Sequence, residues 1–242
     1  MKKQLITSIV LIFSLSIQSQ SWWNSTTIKG NGNIITKTRT IGKFEGIKSA
    51  GSFDINLIDG IENKIIITGE ENIIPYIITE VNSGILKIKF KKNTNISTSK
   101  KLTITISFKE IESISLNGSG NITSKKVIKT ENCNLNISGS GDVNVPVNTN
   151  SLTASIAGSG TIELKGTTEE LNCTISGSGD INAYNLKANE LKASLTGSGD
   201  ISTTVINKID VTIIGSGSIK YKGNPKNILS NIIGSGNLIE KN

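Results

Sequence analysis

The sequence predicts an all-β chain, wound as a single-stranded parallel β-helix of about 19–20 residues per rung and closed at its N-terminal end by a β cap. Three observations carry this prediction. First, Gly-Ser-Gly occurs seven times, beginning at Gly118, Gly139, Gly158, Gly177, Gly197, Gly215 and Gly234, at spacings of 21, 19, 19, 20, 18 and 19 residues. A fixed period near twenty marks a solenoid. Second, aliphatic residues recur at fixed offsets. Two places before each first glycine stand Leu116, Ile137, Ile156, Ile175, Leu195, Ile213 and Ile232; four places after it stand Ile122, Val143, Ile162, Ile181, Ile201, Ile219 and Leu238. Third, the residues between them are mainly Asn, Thr, Ser, Lys and Glu. Alternation of period two means half-buried strands, and the wealth of Ile, Leu and Val agrees.

A coil of this length is too short for a strand plus a full helix and suits one rung. Rungs stack at about 4.8 Å, so seven of them form a prism roughly 34 Å long, its aliphatic positions aligned as internal ladders. No rung buries its inward face alone, so the copies need one another.

The second glycines of the repeats are Gly120, Gly141, Gly160, Gly179, Gly199, Gly217 and Gly236. Two steric readings of the glycines stand side by side. On unbroken alternation both glycines point inward and leave room where walls approach. If the chain turns there, glycine supplies a positive φ without a Cβ clash. Both readings are structural, and the sequence does not choose between them.

In chain order, residues 1–20 read as a secretory signal peptide: Lys2 and Lys3, an apolar run from Leu5 to Ile17 too short to span a bilayer, then small and polar residues. No other stretch approaches spanning length, so the mature chain is expected outside the cytoplasm, in the periplasm, on the surface or secreted. Residues 21–43 form an N-terminal extension, in which Gly30-Asn31-Gly32-Asn33-Ile34 looks like a degenerate repeat. Residues 44–112 form the β cap. Ser52–Ile58 is a strand closed by Asp59-Gly60, Lys64–Thr68 another, and Glu71–Tyr76 a short helical turn at Pro75. Ile77–Val81 and Ile85–Phe90 form a hairpin over Asn82-Ser83-Gly84, and Leu102–Phe108 alternates cleanly. Residues 113–242 carry the seven rungs, continuous with the cap.

The formal charge is +7, and Lys87, Lys89, Lys91, Lys92, Lys100 and Lys101 cluster before the repeats. Such a cluster suits nucleic acid or anionic polymers. Here Lys87 and Lys89 alternate with apolar residues and export removes the nucleic acid, so a solvated strand face is expected and no nucleic-acid partner. The two cysteines, Cys133 and Cys173, fall two rungs apart, about 9.6 Å along the axis, too far for a disulfide. They read as small buried hydrophobes. Without histidine or other soft ligands they are no metal pair.

Three segments together carry a family resemblance: Gly51-Ser52-Phe53-Asp54-Ile55, Asn72-Ile73-Ile74-Pro75-Tyr76, and Ile114-Ser115-Leu116-Asn117-Gly118-Ser119-Gly120-Asn121-Ile122. With the repeated Gly-Ser-Gly-Asp/Asn-Ile, residues 40–242 resemble the auto-transporter adhesin family of the head GIN domain, common in exported proteins of Bacteroidetes. The resemblance implies a right-handed parallel β-helix and an extracytoplasmic location. It implies little chemistry and carries over no catalytic residues; no cofactor is expected.

Three other chemistries stand against it. The place after each Gly-Ser-Gly is polar throughout: Asn121, Asp142, Thr161, Asp180, Asp200, Ser218 and Asn237. Asp180 and Asp200, one rung apart, are calcium candidates, against a solvated ladder that caps backbone N–H groups; the spacing does not match the nine-residue calcium repeat. A glycan-processing enzyme on this scaffold needs paired carboxylates or a cationic base beside a groove. Arg39 is the one arginine, histidine is absent, and Tyr184 and Tyr221 are the only aromatics after residue 112. Fibre-forming repeats rely on glutamine ladders, and glutamine here occurs only at 4, 18 and 20. The expectation is a non-catalytic surface interaction module, an adhesin, binding a glycan or protein, with a polysaccharide-processing enzyme as the alternative. A homodimer through the C-terminal rung is also expected, since Ile228, Ile232 and Leu238 would leave an apolar lower face there.

Overall fold

In a computed structural model, residues 26–61 and 63–241 are described. The predicted signal peptide lies outside them. The chain is nearly all strand: β1 (Thr26–Lys29), β2 (Ile34–Thr40), β3 (Gly46–Ala50), β4 (Asp54–Asp59), β5 (Lys64–Glu70), a 3₁₀ turn (Ile74–Tyr76), β6 (Ile77–Asn82), β7 (Ile85–Phe90), β8 (Thr94–Ser97) and β9 (Thr103–Phe108). The coils follow as β10 (Ser113–Gly118), β11 (Asn121–Ser124), β12 (Ile128–Gly139), β13 (Asp142–Gly158), β14 (Thr161–Gly177), β15 (Asp180–Gly197), β16 (Asp200–Gly215), β17 (Ser218–Lys222), β18 (Asn227–Gly234) and β19 (Asn237–Glu240).

These strands stack in parallel as a β-solenoid of about seven turns. The pairing keeps the repeat in register: Gly139 faces Gly158, Gly158 faces Gly177, and Gly177 faces Gly197. The aliphatic ladders follow. Ile137, Ile156, Ile175, Leu195 and Ile213 are buried on one side of the corner, and Val143, Ile162, Ile181, Ile201 and Ile219 on the other.

The two glycines of each corner have different geometry, one for each of the two readings above. The first ends a strand with φ between +116° and +134°. The second has an ordinary φ but is buried. A Cβ on Gly179 would sit 2.5 Å from the Gly160 carbonyl oxygen and 2.7 Å from Ile156. The chain thus turns at Gly-Ser-Gly while the ladder passes round the turn. Ser159 N–H donates to Gly139 O at 2.9 Å, and Asp142 N–H to Gly120 O at 3.1 Å.

The solenoid begins earlier than the repeat implies. β3 pairs with β10 and β4 with β11, placing Ala50 opposite Asn117 and Asp54 opposite Asn121. Residues 46–59 therefore form a coil of their own, and Gly51-Ser52-Phe53 is its corner. Gly30–Ile34 is not a corner. It wraps instead around Glu70, whose side chain would collide with any Cβ on Gly30.

Between Asp59 and Ser113 the chain leaves the stack and builds its own lid. β7 and β9 add one more parallel level above β3 and β4. β6 then covers the edge of β7, β5 the edge of β9, and β2 the edge of β5, all antiparallel. The β6–β7 turn takes positive φ at Ser83 (49°) and Gly84 (74°), as a tight hairpin needs. Arg39 clamps the lid from β2, donating to the carbonyls of Ile77 at 2.6 Å and Ile74 at 2.9 Å. Phe53, Phe108, Ile65, Ile67 and Ile73 fill the space beneath.

Glu70 ties the lid to its flanking loops. The residue is 1 % exposed. It accepts the Ser99 hydroxyl at 2.7 Å, Ser99 N–H at 2.9 Å and Gly32 N–H at 2.8 Å. The Ser99 hydroxyl, and then these backbone N–H groups, hold its pKa below the usual glutamate range against the opposing effect of burial. Cys133 and Cys173 are buried and free, and desolvation pushes both thiols up to about 12.

Two predictions follow from this geometry. Gly177→Val adds a side chain at φ +130°, against the Gly158 backbone. It should lower the unfolding free energy by about 3 kcal/mol in chemical denaturation, whereas an unchanged midpoint would reject the steric role of the corner. Glu70, with its depressed pKa, should contribute stability that is present above its unfolded value of 4.5 and fades as pH falls through the lower folded value. The Glu70→Gln variant should be less stable at pH 7, and the gap to wild type should close toward pH 3; parallel pH profiles would rule this out.

Candidate functional site

Each corner is followed by a short flat wall whose outward positions are polar. From the lid downward the wall is formed by β9, β4, β11, β13 and β14, paired in that order. Strand alternation sends Ile55, Ile122, Val143 and Ile162 inward and their neighbours outward. Lys101, just before β9, overhangs the top. The result is a groove of about 510 Å³, lined chiefly by carboxylates, amides and threonine hydroxyls: Asp54, Asn56, Asn121, Thr123, Asp142, Asn144, Thr161 and Glu163, with Lys101 and Thr103 at the rim.

Its side chains brace one another from coil to coil. Asn121 donates to Asp54 at 2.7 Å, Thr123 to Asn56 at 3.1 Å and Asn144 to Glu163 at 2.5 Å. Thr161 N–H donates to Asp142 at 3.0 Å. Lys101 pairs with Asp54 at 3.1 Å; its ammonium is well exposed, so the pair contributes little stability. Such bracing fixes rotamers on rigid strands, which is what preorganised recognition requires.

Further down the same wall lie Asp180 and Asp200. One oxygen of Asp180 accepts Asp200 N–H at 2.9 Å, and one of Asp200 accepts Ser218 N–H at 3.0 Å. The other oxygen of Asp200 meets the Lys220 ammonium at 2.6 Å, which holds that lysine above its usual value. These carboxylates cap the next coil. Among the described residues no three His, Cys, Asp or Glu side chains come together to hold a metal. The basic cluster of the lid is spread out: Lys89 pairs with Glu80 at 3.1 Å, and Lys91 lies over the Tyr76 ring.

The ladder beginning at Asn121 and Asp142 was legible from the repeat. Its neighbours Asn56, Asn144 and Glu163 stand two places further on with the same outward parity; in the sequence Glu163 reads only as a solubilising surface carboxylate. Lys101 and Thr103 had no such signal, since they arrive from the lid.

Residues 43–225 match the model of the family described as "Putative auto-transporter adhesin, head GIN domain". The chain is a head GIN domain protein. Solved relatives share its fold. A "putative adhesin" from Bacteroides fragilis is 28% identical, with a TM-score of 0.84 over 88% of this chain and 100% of that one. Another "putative adhesin", from Parabacteroides merdae, is 29% identical, with a TM-score of 0.73 over 89% and 99%. A "putative lipid binding protein" from Parabacteroides distasonis is 29% identical, with a TM-score of 0.77 over 90% and 100%. Comparison with curated proteins returned no match.

Proposed function

We propose that this head GIN domain protein is a non-catalytic, exported interaction module that binds a surface glycan or protein through the side wall of its solenoid. The observation that carries the reading is the groove: a polar, internally braced surface on rigid strands. Family membership and the adhesin relatives point the same way. Export is supported by the charged and apolar residues 1–20, and no helix among the described residues is long and apolar enough to cross a membrane. Of the groups that glycan-processing chemistry would need, the one arginine and one oxygen of each groove carboxylate are already engaged. Arg39 holds lid carbonyls, and Asp54 and Asp142 each accept hydrogen bonds from the neighbouring coil. An array of glycans and matrix proteins, read for binding and for turnover, tests this. Binding without turnover is expected; turnover of a polysaccharide would establish the enzyme instead.

We also infer that two copies abut through the last described coil. All of β18 is exposed, with Ile228 at 43% and Ile232 at 39% on the inner side and Leu229 and Ile233 on the outer. A two-fold axis through Ser230 would pair β18 with its copy antiparallel, setting Ile228 opposite Ile232 and joining the two cores. Light scattering of the protein across a dilution series should show a dimer that dissociates in Ile228→Lys/Ile232→Lys, with strand content by circular dichroism unchanged. A monomer at every concentration would reject the contact, and a dimer that survives both lysines would place it elsewhere.

A further inference from the structure

We propose that the groove across β9, β4, β11, β13 and β14 takes a neutral, hydroxyl-rich glycan chain lying along the solenoid axis, and excludes polyanionic ones. This rests on the interaction-module reading and names its ligand class.

The direction follows from the strands. Five parallel strands about 4.8 Å apart make the groove about 19 Å long across the ladder, so a chain bound along it crosses one coil after another. The same groups recur at each step, as a repeating polymer would meet them.

The chemistry follows from which atoms the bracing leaves over. Asn121 and Asn144 each spend a donor on Asp54 and Glu163. Their own carbonyl oxygens face no internal donor among the described residues. Asp142 uses one oxygen on Thr161 N–H and Glu163 one on Asn144, leaving a second carboxylate oxygen on each. The groove therefore offers unpaired acceptors, two of them charged, beside the remaining amide and hydroxyl donors of Asn56, Asn121, Asn144, Thr103 and Thr161. Sugar hydroxyls both donate and accept and so match this mixed lining, and bonds from them to a carboxylate are the stronger, charge-assisted kind. Three carboxylates (Asp54, Asp142 and Glu163) stand against one lining cation, Lys101. A sulfate, phosphate or uronate would meet like charge with no compensating arginine.

A peptide is the rival occupant, since lysine side chains also bring donors. Extended peptides, however, gain affinity by adding to a free sheet edge. Every wall strand beneath the rim is paired on both sides, so the groove presents side chains and no free backbone. That favours the glycan.

Titration calorimetry with neutral gluco- and manno-oligosaccharides, a polyuronate, heparin and a lysine-rich peptide decides it. The proteins are wild type, Asp142→Ala/Glu163→Ala and Asp142→Lys/Glu163→Lys, each checked for an unchanged unfolding midpoint; both side chains point outward, so the fold should hold. A neutral oligosaccharide should bind wild type, weaken by about tenfold in the alanine pair, and be lost in the lysine pair, which should gain affinity for heparin. Neutral binding untouched by either pair would overturn the groove assignment while leaving the interaction module standing. Stronger binding of heparin, polyuronate or the peptide to wild type would overturn the ligand class. Failure of every glycan and protein on the array would reject the interaction module itself, and the ligand with it.

Discussion

Backbone meets backbone at the Gly-Ser-Gly corner, and the rest of the solenoid depends on that contact. Successive corners approach to hydrogen-bonding distance: Ser178 N–H lies 2.9 Å from Gly158 O, and Asp180 N–H lies 3.0 Å from Gly160 O. No Cβ fits between them. Because the corners are locked, every residue at a given distance from them falls on the same ladder. A slip of one residue would turn each inward aliphatic side chain to water. The core thus inherits its order from the turns, and the polar wall inherits its order from the same source.

The top of the glycine column shows the constraint from the other side. A Cβ at a second glycine would point into the preceding coil, as Gly141 does toward Gly120 O. Phe53 occupies that position in the first corner, where no such turn lies above it, since the chain from Phe90 to Thr103 leaves the level. The freed space holds the Phe53 ring, 4.6 Å from that of Phe90. Lid and column meet at this pair.

The seven corners, their ladders and the buried cysteines were legible because identical offsets recur. The lid hairpin was legible from Asn82-Ser83-Gly84 and its flanking alternation. The first coil was hidden because Phe53 replaces the diagnostic glycine, a substitution allowed only at the end of the stack. Gly30–Ile34 misled for the opposite reason: its glycines make room for the Glu70 carboxylate, a contact between residues distant in sequence. The groove was half legible. Its lower members share the repeat's parity, but Asp54 comes from the hidden first coil and Lys101 from the lid.

Coil length varies from 18 to 21 residues, yet the corners never shift; the irregularities fall between Glu163 and Lys165, between Ala183 and Lys187 and between Ala188 and Glu190, away from them. The passage from residue 60 to 112 is an extreme case, since the chain departs after one coil and resumes on the very next level. A scaffold of this kind separates what must be kept from what is free to change. The junctions opposite the glycine corners are natural grafting points, where whole segments can be spliced in and displayed on the outside without altering the shaft that carries them.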